Sequence, residues 1–157
     1  MIAFVFLLTG CSAAQTFEKV EDTYNSGIVA QAEKPVFALP EDACAQVMKT
    51  EQGTLYFCEG YEIMVQTMTS GDMDATLKAL TGYKRESLTL LETGVDSWER
   101  YECVWTSAGE AGDQVGRAVI IDDGNYHYCL SVMAHAQDAG SLQESWQELF
   151  SSFSLQS

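Results

Sequence analysis

Positive charge is scarce in this 157-residue sequence, which has 8 Lys and Arg residues against 23 Asp and Glu residues and a net charge of −15. A surface this acidic repels phosphate backbones and anionic lipid headgroups. We therefore expect no nucleic-acid partner. Attachment to a membrane, if the chain has it, cannot come from a basic patch.

Long apolar runs are also missing. The run Ile2–Leu8 near the start is far shorter than the roughly 20 apolar residues that a transmembrane helix needs. We therefore expect no membrane-spanning helix.

The signature motifs of the common enzyme classes are absent. The sequence contains no Gly-x-Ser-x-Gly elbow, His-Glu-x-x-His zinc helix, Walker loop or Cys-x-x-Cys pair. The glycine-rich segment 109–112 carries Glu110 and is followed by Asp113, so it favours a hairpin loop over a phosphate site. We expect a protein that is not an enzyme, with no catalytic residue, cofactor or metal site.

What the sequence does have is a short motif at its start. Leu8-Thr9-Gly10-Cys11 follows an apolar run and resembles the lipobox of bacterial lipoproteins, in which the Cys thiol is acylated and the preceding peptide is removed. The resemblance implies that residues 1–10 are a signal peptide and that Cys11 carries the lipid. The mature chain would then be anchored at the extracytoplasmic face of a cell membrane.

The beginning of this signal departs from the usual pattern. An export signal normally opens with a positively charged region, but no Lys or Arg precedes Leu8. We expect the true start codon to lie upstream, with basic residues among the missing ones. An ordinary N-terminal strand is the alternative, and the polar continuation Ser12–Gln15 disfavours it.

Composition divides the rest of the chain into two parts. Residues 11–35 contain few large apolar residues and show no sustained periodicity, which predicts a flexible tether. It would follow the Cys11 that the lipobox resemblance implies is lipidated. Residues 36–157 are long enough for a single domain with one core. We expect this domain to be a monomer.

Periodicity within the domain predicts an α+β fold, in which an antiparallel sheet of six to seven strands is packed by two helices. The first helix, at 72–81, has Asp72 as its N-cap and Gly82 as its C-terminal cap. The second helix begins with a capping box formed by Ser141 and Glu144. Its apolar stripe consists of Leu142, Trp146, Leu149, Phe150 and Phe153.

Element order gives a second resemblance. The tract Gly116–Ile121 before an Asp-Gly turn and the ending Trp146–Phe153 look like parts of the α/β/α sandwich of the photosystem protein PsbP and the Ran-binding Mog protein. The resemblance covers about residues 36–154. It implies a scaffold that binds proteins or small ligands, and it assigns no functional residue.

Strand register decides which cysteines can pair. A type I′ turn at Asp123-Gly124 would pair Asp122 with Asn125 and place Cys129 opposite Ala118. A looser loop before it would place Cys103 opposite Ala118 as well, two strand spacings of about 4.8 Å from Cys129. We therefore predict that these two thiols are free and buried.

The first hairpin allows a bridge. A five-residue loop would pair Met48 with Thr54 and set Cys44 against Cys58, within the reach of a disulfide. Cys44 and Cys58 are thus the only predicted candidates for an intramolecular disulfide.

Two strands carry side chains that deserve a functional test. His127, Cys129 and Cys103 are predicted to share one face of the sheet, and thiolate and imidazole suit zinc or copper. A fourth ligand is lacking, so burial is the favoured interpretation. Tyr101 and Trp105 are predicted to face the core, with Trp98 on the opposite side.

These observations support one functional hypothesis and leave one alternative. The first is a membrane-tethered binding module that recognises an envelope protein or a small ligand. The alternative is an envelope enzyme that combines carboxylates such as Glu99 and Glu102 with His127 as acid and base. A concave pocket that held His127 with two carboxylates would favour the enzyme, and a buried His127 would favour binding.

Overall fold

The centre of the fold is a seven-stranded antiparallel sheet. We describe it from a computed structural model, in which residues 31–41, 47–49, 53–95, 98–110 and 112–156 are described. In spatial order the strands are Val47–Lys49 (β2), Gly53–Cys58 (β3), Tyr61–Thr69 (β4), Tyr126–His135 (β8), Gln114–Asp122 (β7), Trp98–Ser107 (β6) and Thr89–Val95 (β5).

A smaller sheet joins the two ends of the domain. It pairs Lys34–Val36 (β1) with Ser154–Gln156 (β9) in antiparallel fashion. The sequence did not predict this sheet, because strands of three residues are too short to show alternation. Strand β1 also begins at Lys34, two residues before the predicted start of the domain at residue 36.

The first helix matches its prediction. It spans Met73–Thr81 (α1), and the Asp72 carboxylate accepts a hydrogen bond from the Asp74 N–H at 3.0 Å. Gly82 ends the helix at φ +78° and donates its N–H to the Lys78 carbonyl at 2.9 Å. A 3₁₀ turn, Arg85–Ser87, lies between this helix and β5.

The second helix begins later than its predicted capping box. It spans Gln143–Ser152 (α2), and its N-cap is Leu142, which makes no side-chain cap. The Ser141 hydroxyl instead donates to the Asp138 carbonyl at 2.8 Å. The predicted box is therefore wrong, because a preceding turn takes the serine hydroxyl.

The two helices cover opposite faces of the sheet, so the sheet has two cores. On the α2 face, Trp146, Leu149 and Phe150 pack among buried residues such as Ile63 and Leu130. On the α1 face, Leu77 packs in a second cluster with Tyr101, Cys103, Trp105, Ala118, Ile120 and Cys129. The prediction of an α+β domain with seven strands and two helices is confirmed.

The β7–β8 hairpin has a longer loop than the sequence predicted. Asp122 pairs with His127 and not with Asn125, so Cys129 lies opposite Ile120. The reason lies in the loop itself, where the Asp123 carboxylate accepts the N–H groups of Asn125 at 2.7 Å and Tyr126 at 2.6 Å. These bonds hold an open loop where a two-residue turn was expected.

The remaining predictions about strand register and cysteines are confirmed in part. Cys103 does lie opposite Ala118, and Cys103 and Cys129 are unbridged and buried, as predicted. The β2–β3 register differs by one residue, because Met48 pairs with Leu55 and not with Thr54. Cys44 lies outside the described residues, so its disulfide with Cys58 stays a prediction.

Two further predictions concern the membrane. None of the helices in the described part of the chain is long and apolar enough to cross a bilayer. Residues 1–30, which include Cys11, lie outside the described residues. The signal peptide and the lipid anchor therefore stay predictions.

Candidate functional site

A groove of about 630 Å³ opens on the α1 face of the sheet. Its floor comes from β3, β4 and β8, and its sides include residues of α1 and β6. The apolar side chains that line it include Leu55, Phe57, Met64, Leu80, Trp105 and Met133.

The groove exists because one short helix cannot cover the sheet. Helix α1 has nine residues, which corresponds to a cylinder about 14 Å long and about 10–12 Å wide. Seven strands at about 4.8 Å spacing make a sheet roughly 29 Å across. The buried partners of Leu77 lie on β6, β7 and β8, so the β3–β4 half of this face is left open.

The lining of the groove mixes apolar and polar groups. Glu62, Gln66, Gln114, Ser131 and His135 supply one carboxylate, two amides, one hydroxyl and one imidazole. Met64 and Met133 add flexible, polarizable side chains that adapt to different ligand shapes. Apolar walls with a few convergent polar groups are typical of small-ligand and peptide sites.

His127 lies outside this groove and is fully buried. Its Nδ1 is 2.7 Å from the Thr76 hydroxyl on α1, and its Nε2 is 3.2 Å from Asp122 Oδ2. The Ser70 hydroxyl lies 3.5 Å from the same Nε2. Both ring nitrogens thus have partners, and the imidazole joins α1 to the sheet.

The carboxylates proposed for the enzyme alternative lie elsewhere. Glu99 accepts a hydrogen bond from the Tyr101 hydroxyl, and Glu102 forms ion pairs with Arg100 and Arg117. Within the part of the chain that the structure describes, neither forms an ion pair with His127. The predicted grouping is wrong, because hydrogen bonding along and between β6 and β7 engages both carboxylates.

The prediction that His127, Cys129 and Cys103 share one face of the sheet is confirmed, but burial disfavours the thiolate form of the two cysteines. Burial raises the pKa of the Cys103 thiol to about 11 and also raises the pKa of Cys129. The thiolate is the form that binds metals and attacks electrophiles. Among the described residues, no group of three or more His, Cys, Asp or Glu side chains could hold a metal ion.

The aromatic row on β6 behaves as predicted. Tyr101 and Trp105 are buried on the α1 face, and Trp98 packs partly buried against the core of the α2 face. Trp105 also lines the groove. These three aromatic side chains therefore belong to the cores on the two faces of the sheet, and Trp105 is the one that a ligand in the groove could contact.

Asp123 has a structural role in the β7–β8 loop. Burial alone would raise the pKa of its carboxyl, but hydrogen bonds from the N–H groups of Tyr126 and Asn125 and from the Tyr128 hydroxyl lower it below its usual value. The Tyr128 hydroxyl lies 2.9 Å from Asp123 Oδ2 and accepts the Glu33 N–H at 2.7 Å. The pair thus anchors the chain just before β1.

The groove itself could not be found from the sequence. Its floor combines residues of three strands, and β8 lies beside β4 although some sixty residues separate them in the chain. The only local signal is that Met64 and Gln66 alternate with the buried Ile63 and Val65. That alternation places them on the opposite face without saying whether a helix covers them.

Comparisons with known proteins show a fold that this chain shares with solved structures, but they do not assign the chain to a family. No protein-family model matches the chain, and no curated protein matches its sequence. A solved structure from Bacteroides thetaiotaomicron superposes with a TM-score of 0.53 at 14% identity over 78% of this chain. This chain spans only 45% of that protein.

A second solved structure is similar over nearly its whole length. LpqN, which is involved in cell envelope biogenesis of Mycobacterium tuberculosis, superposes with a TM-score of 0.52 at 8% identity, over 82% of this chain and 87% of its own. At identities this low, the two likenesses show a shared fold alone.

Proposed function

We propose that this chain is a lipid-anchored, non-enzymatic binding module of a bacterial envelope, and that it takes its ligand in the groove on the α1 face. The groove carries the proposal. It is an open concavity with apolar and polar lining on a sheet whose other face is packed by α2.

The lining indicates the kind of ligand. Leu55, Phe57 and Met133 favour apolar ligand groups, and burying such groups stabilises a complex by about 25 cal/mol per Å². Glu62, Gln66 and Ser131 lie on the same floor and can orient polar groups. We propose an amphiphilic ligand, either a segment of an envelope protein or a small molecule.

Two observations support the envelope as the location. The motif Leu8-Thr9-Gly10-Cys11 resembles a lipobox, and LpqN, which has a similar fold, is described as involved in cell envelope biogenesis. Lipid on Cys11 would hold the domain at the extracytoplasmic face of the membrane. The mature surface would then need no basic patch.

The PsbP/Mog-like sandwich is part of the same proposal. The order α1, sheet, α2 gives three layers, and the layered order supports an α/β/α arrangement. The resemblance to that fold family implies binding of proteins or small ligands, and a ligand site in the groove agrees with this implication.

A neutral apolar dye tests the site. Nile red should fluoresce when it enters the groove, and Ser131→Trp should reduce this signal because a large side chain on the floor fills the cavity. Ser151→Trp is the matched control, since Ser151 is exposed on α2. Equal dye binding by both variants would contradict the site, provided that their circular dichroism spectra show both to be folded.

Methionine methyl groups give an independent readout. In a protein labelled with ¹³C at the Met methyls, Nile red should shift the signals of Met64 and Met133, which line the groove. The signal of Met73, which lies at the start of α1 outside the groove, should not move. Shifts confined to Met73 would place the dye elsewhere.

A further inference from the structure

The two edges of the main sheet differ in how they are protected against pairing. Strand β2 has three residues and carries Lys49. Strand β5, Thr89–Val95, has seven residues without Lys, Arg or Pro, and it pairs with β6 without a bulge from Thr89–Val104 to Val95–Trp98. Natural edge strands are usually blunted by shortness, charged side chains, proline or bulges, and of these β5 has only the charge of Glu92.

Among the described residues, no strand pairs with the outer side of β5. Strand β5 is last in the order of the sheet, and β6 is its only strand partner within the described residues. Alternate N–H and C=O groups of an edge strand point away from the sheet. A further strand could therefore pair with it.

Exposed apolar side chains lie beside this edge. Leu91 is 59% exposed and Val104 is 51% exposed, and they account for two of the four large exposed hydrophobic residues in the described part of the chain. Val104 pairs with Thr89 and Glu102 pairs with Leu91, so both apolar side chains point to the α2 face. This face is not covered by α2 at the β5 edge.

On the α2 face the side chains of β5, Thr89, Leu91 and Thr93, are arranged symmetrically about Leu91. Antiparallel pairing of two copies about a two-fold axis at Leu91 sets Leu91 against Leu91, Thr89 against Thr93, and Leu90 against Glu92. Apolar and Thr–Thr cross-strand pairs stabilise a sheet, whereas like charges directly opposite destabilise it. In this register Glu92 never faces its own copy.

We propose that β5 is a homodimerisation strand and that two copies of this chain pair through it about Leu91, joining two seven-stranded sheets into one. The inference does not rest on the proposed function, because the groove lies at the β3–β4 side of the sheet. It would make the predicted monomer wrong.

The dimer should be weak and sensitive to salt. One strand pair with two apolar side chains buries less than the roughly 1,200 Å² at which stable interfaces begin. Each copy also carries a net charge of −15, and salt screens the resulting repulsion. Raising NaCl from about 20 mM to about 500 mM should therefore strengthen association.

Sedimentation velocity on the purified chain tests the interface. The dimer fraction should rise between about 10 µM and about 1 mM protein, and Leu91→Lys should weaken association by about tenfold or more because it sets two cations opposite each other. Met48→Lys is the control, since Met48 is 53% exposed at the other edge. A parent chain that stays monomeric throughout, or equal effects of the two substitutions, would overturn the proposal.

Cross-linking tests the register. Under mild oxidation Leu91→Cys should form a disulfide between two copies of position 91, identified by mapping the joined peptides, because directly opposed residues lie within disulfide reach. Glu92→Cys should not, since the two copies of position 92 would lie diagonally apart. Equal cross-linking at both positions would mean random collision and would overturn the proposed pairing.

Discussion

Trp146 is the residue on which the core of the α2 face most depends. Its side chain is 5% exposed and packs edge-on against Tyr61, with ring centroids 6.4 Å apart. Trp146→Ala should lower the free energy of unfolding by about 3–5 kcal/mol, as measured by urea denaturation. Trp146→Phe should cost much less because it keeps most of the volume and removes only an indole N–H that has no partner in the described structure. Equal stability of wild type and the Ala variant would mean that α2 is peripheral.

The Tyr128–Asp123 hydrogen bond should influence stability in acid. Because the pKa of Asp123 is lowered in the folded chain, its contribution is present above the carboxyl's ordinary pKa and is lost as pH falls through the folded value. Tyr128→Phe removes one of the hydrogen bonds that lower this pKa. The variant should lose about 1–3 kcal/mol near pH 7 and show a smaller further loss on acidification.

Urea unfolding of both proteins from about pH 7 to about pH 3 measures this difference. Tyr126→Phe is the control, since Tyr126 donates its backbone N–H to Asp123 and the substitution keeps that bond. Identical acid dependence of wild type and Tyr128→Phe would contradict the role given to the tyrosine hydroxyl.

At the residue scale, the sequence predicted which face of the sheet a side chain occupies better than it predicted which residues that side chain contacts. Alternation along β8 placed His127 and Cys129 on one side correctly. The hydroxyl that His127 contacts belongs to Thr76, 51 residues earlier in the chain, and periodicity carries no information on such distant contacts. The predicted grouping of Glu99 and Glu102 with His127 failed for the same reason.

At the scale of elements, Arg100 fixes the end of α2. Its guanidinium donates to the Phe150 carbonyl at 2.8 Å and the Phe153 carbonyl at 3.2 Å. The Phe150 carbonyl also accepts the Phe153 N–H at 3.3 Å, so the arginine reinforces a helix end whose carbonyls lack the usual partners one turn further on. Arg100→Met should therefore fray the last turn, seen as faster amide hydrogen exchange there and a lower melting temperature. Arg85→Met, which breaks an exposed ion pair with Asp74, should change neither.

Helix ends show why some elements could be predicted and others could not. Asp72 and Gly82 act within two to four residues of their partners, so a short sequence window contains the whole cap. Ser141 has an equally good local signature, but a turn at Asp138 competes for its hydroxyl. The prediction of a two-residue turn between β7 and β8 failed for a similar reason, because the Asp123 side chain accepts hydrogen bonds from N–H groups beyond the expected turn.

At the scale of the whole molecule, the proposed location at the membrane depends on the predicted lipid on Cys11. Cys11→Ser, expressed from the native gene, should release the protein from membranes or leave an uncut precursor, because serine lacks the thiol that would be acylated. Fractionation and mass measurement of the protein distinguish these outcomes from wild type. A Cys11→Ser protein that is processed normally and stays in the membrane fraction would contradict the lipid anchor.

The fold class followed from periodicity, but the groove depends on what the molecule leaves uncovered. Two helices and seven strands were predictable from local patterns. That α1 covers β6, β7 and β8 and leaves β3 and β4 open depends on the strand order of the sheet. Sequence patterns do not encode that order for strands as distant as β4 and β8.

Retention of an envelope component by the groove is the central claim, and affinity capture from native membranes tests it most directly. Wild type and the Ser151→Trp control should retain at least one protein or lipid that Ser131→Trp loses, since only the latter substitution fills the groove floor. Mass spectrometry identifies what each variant retains. If all three proteins retain the same components, or if none retains any, the groove is not the binding site and the account is wrong.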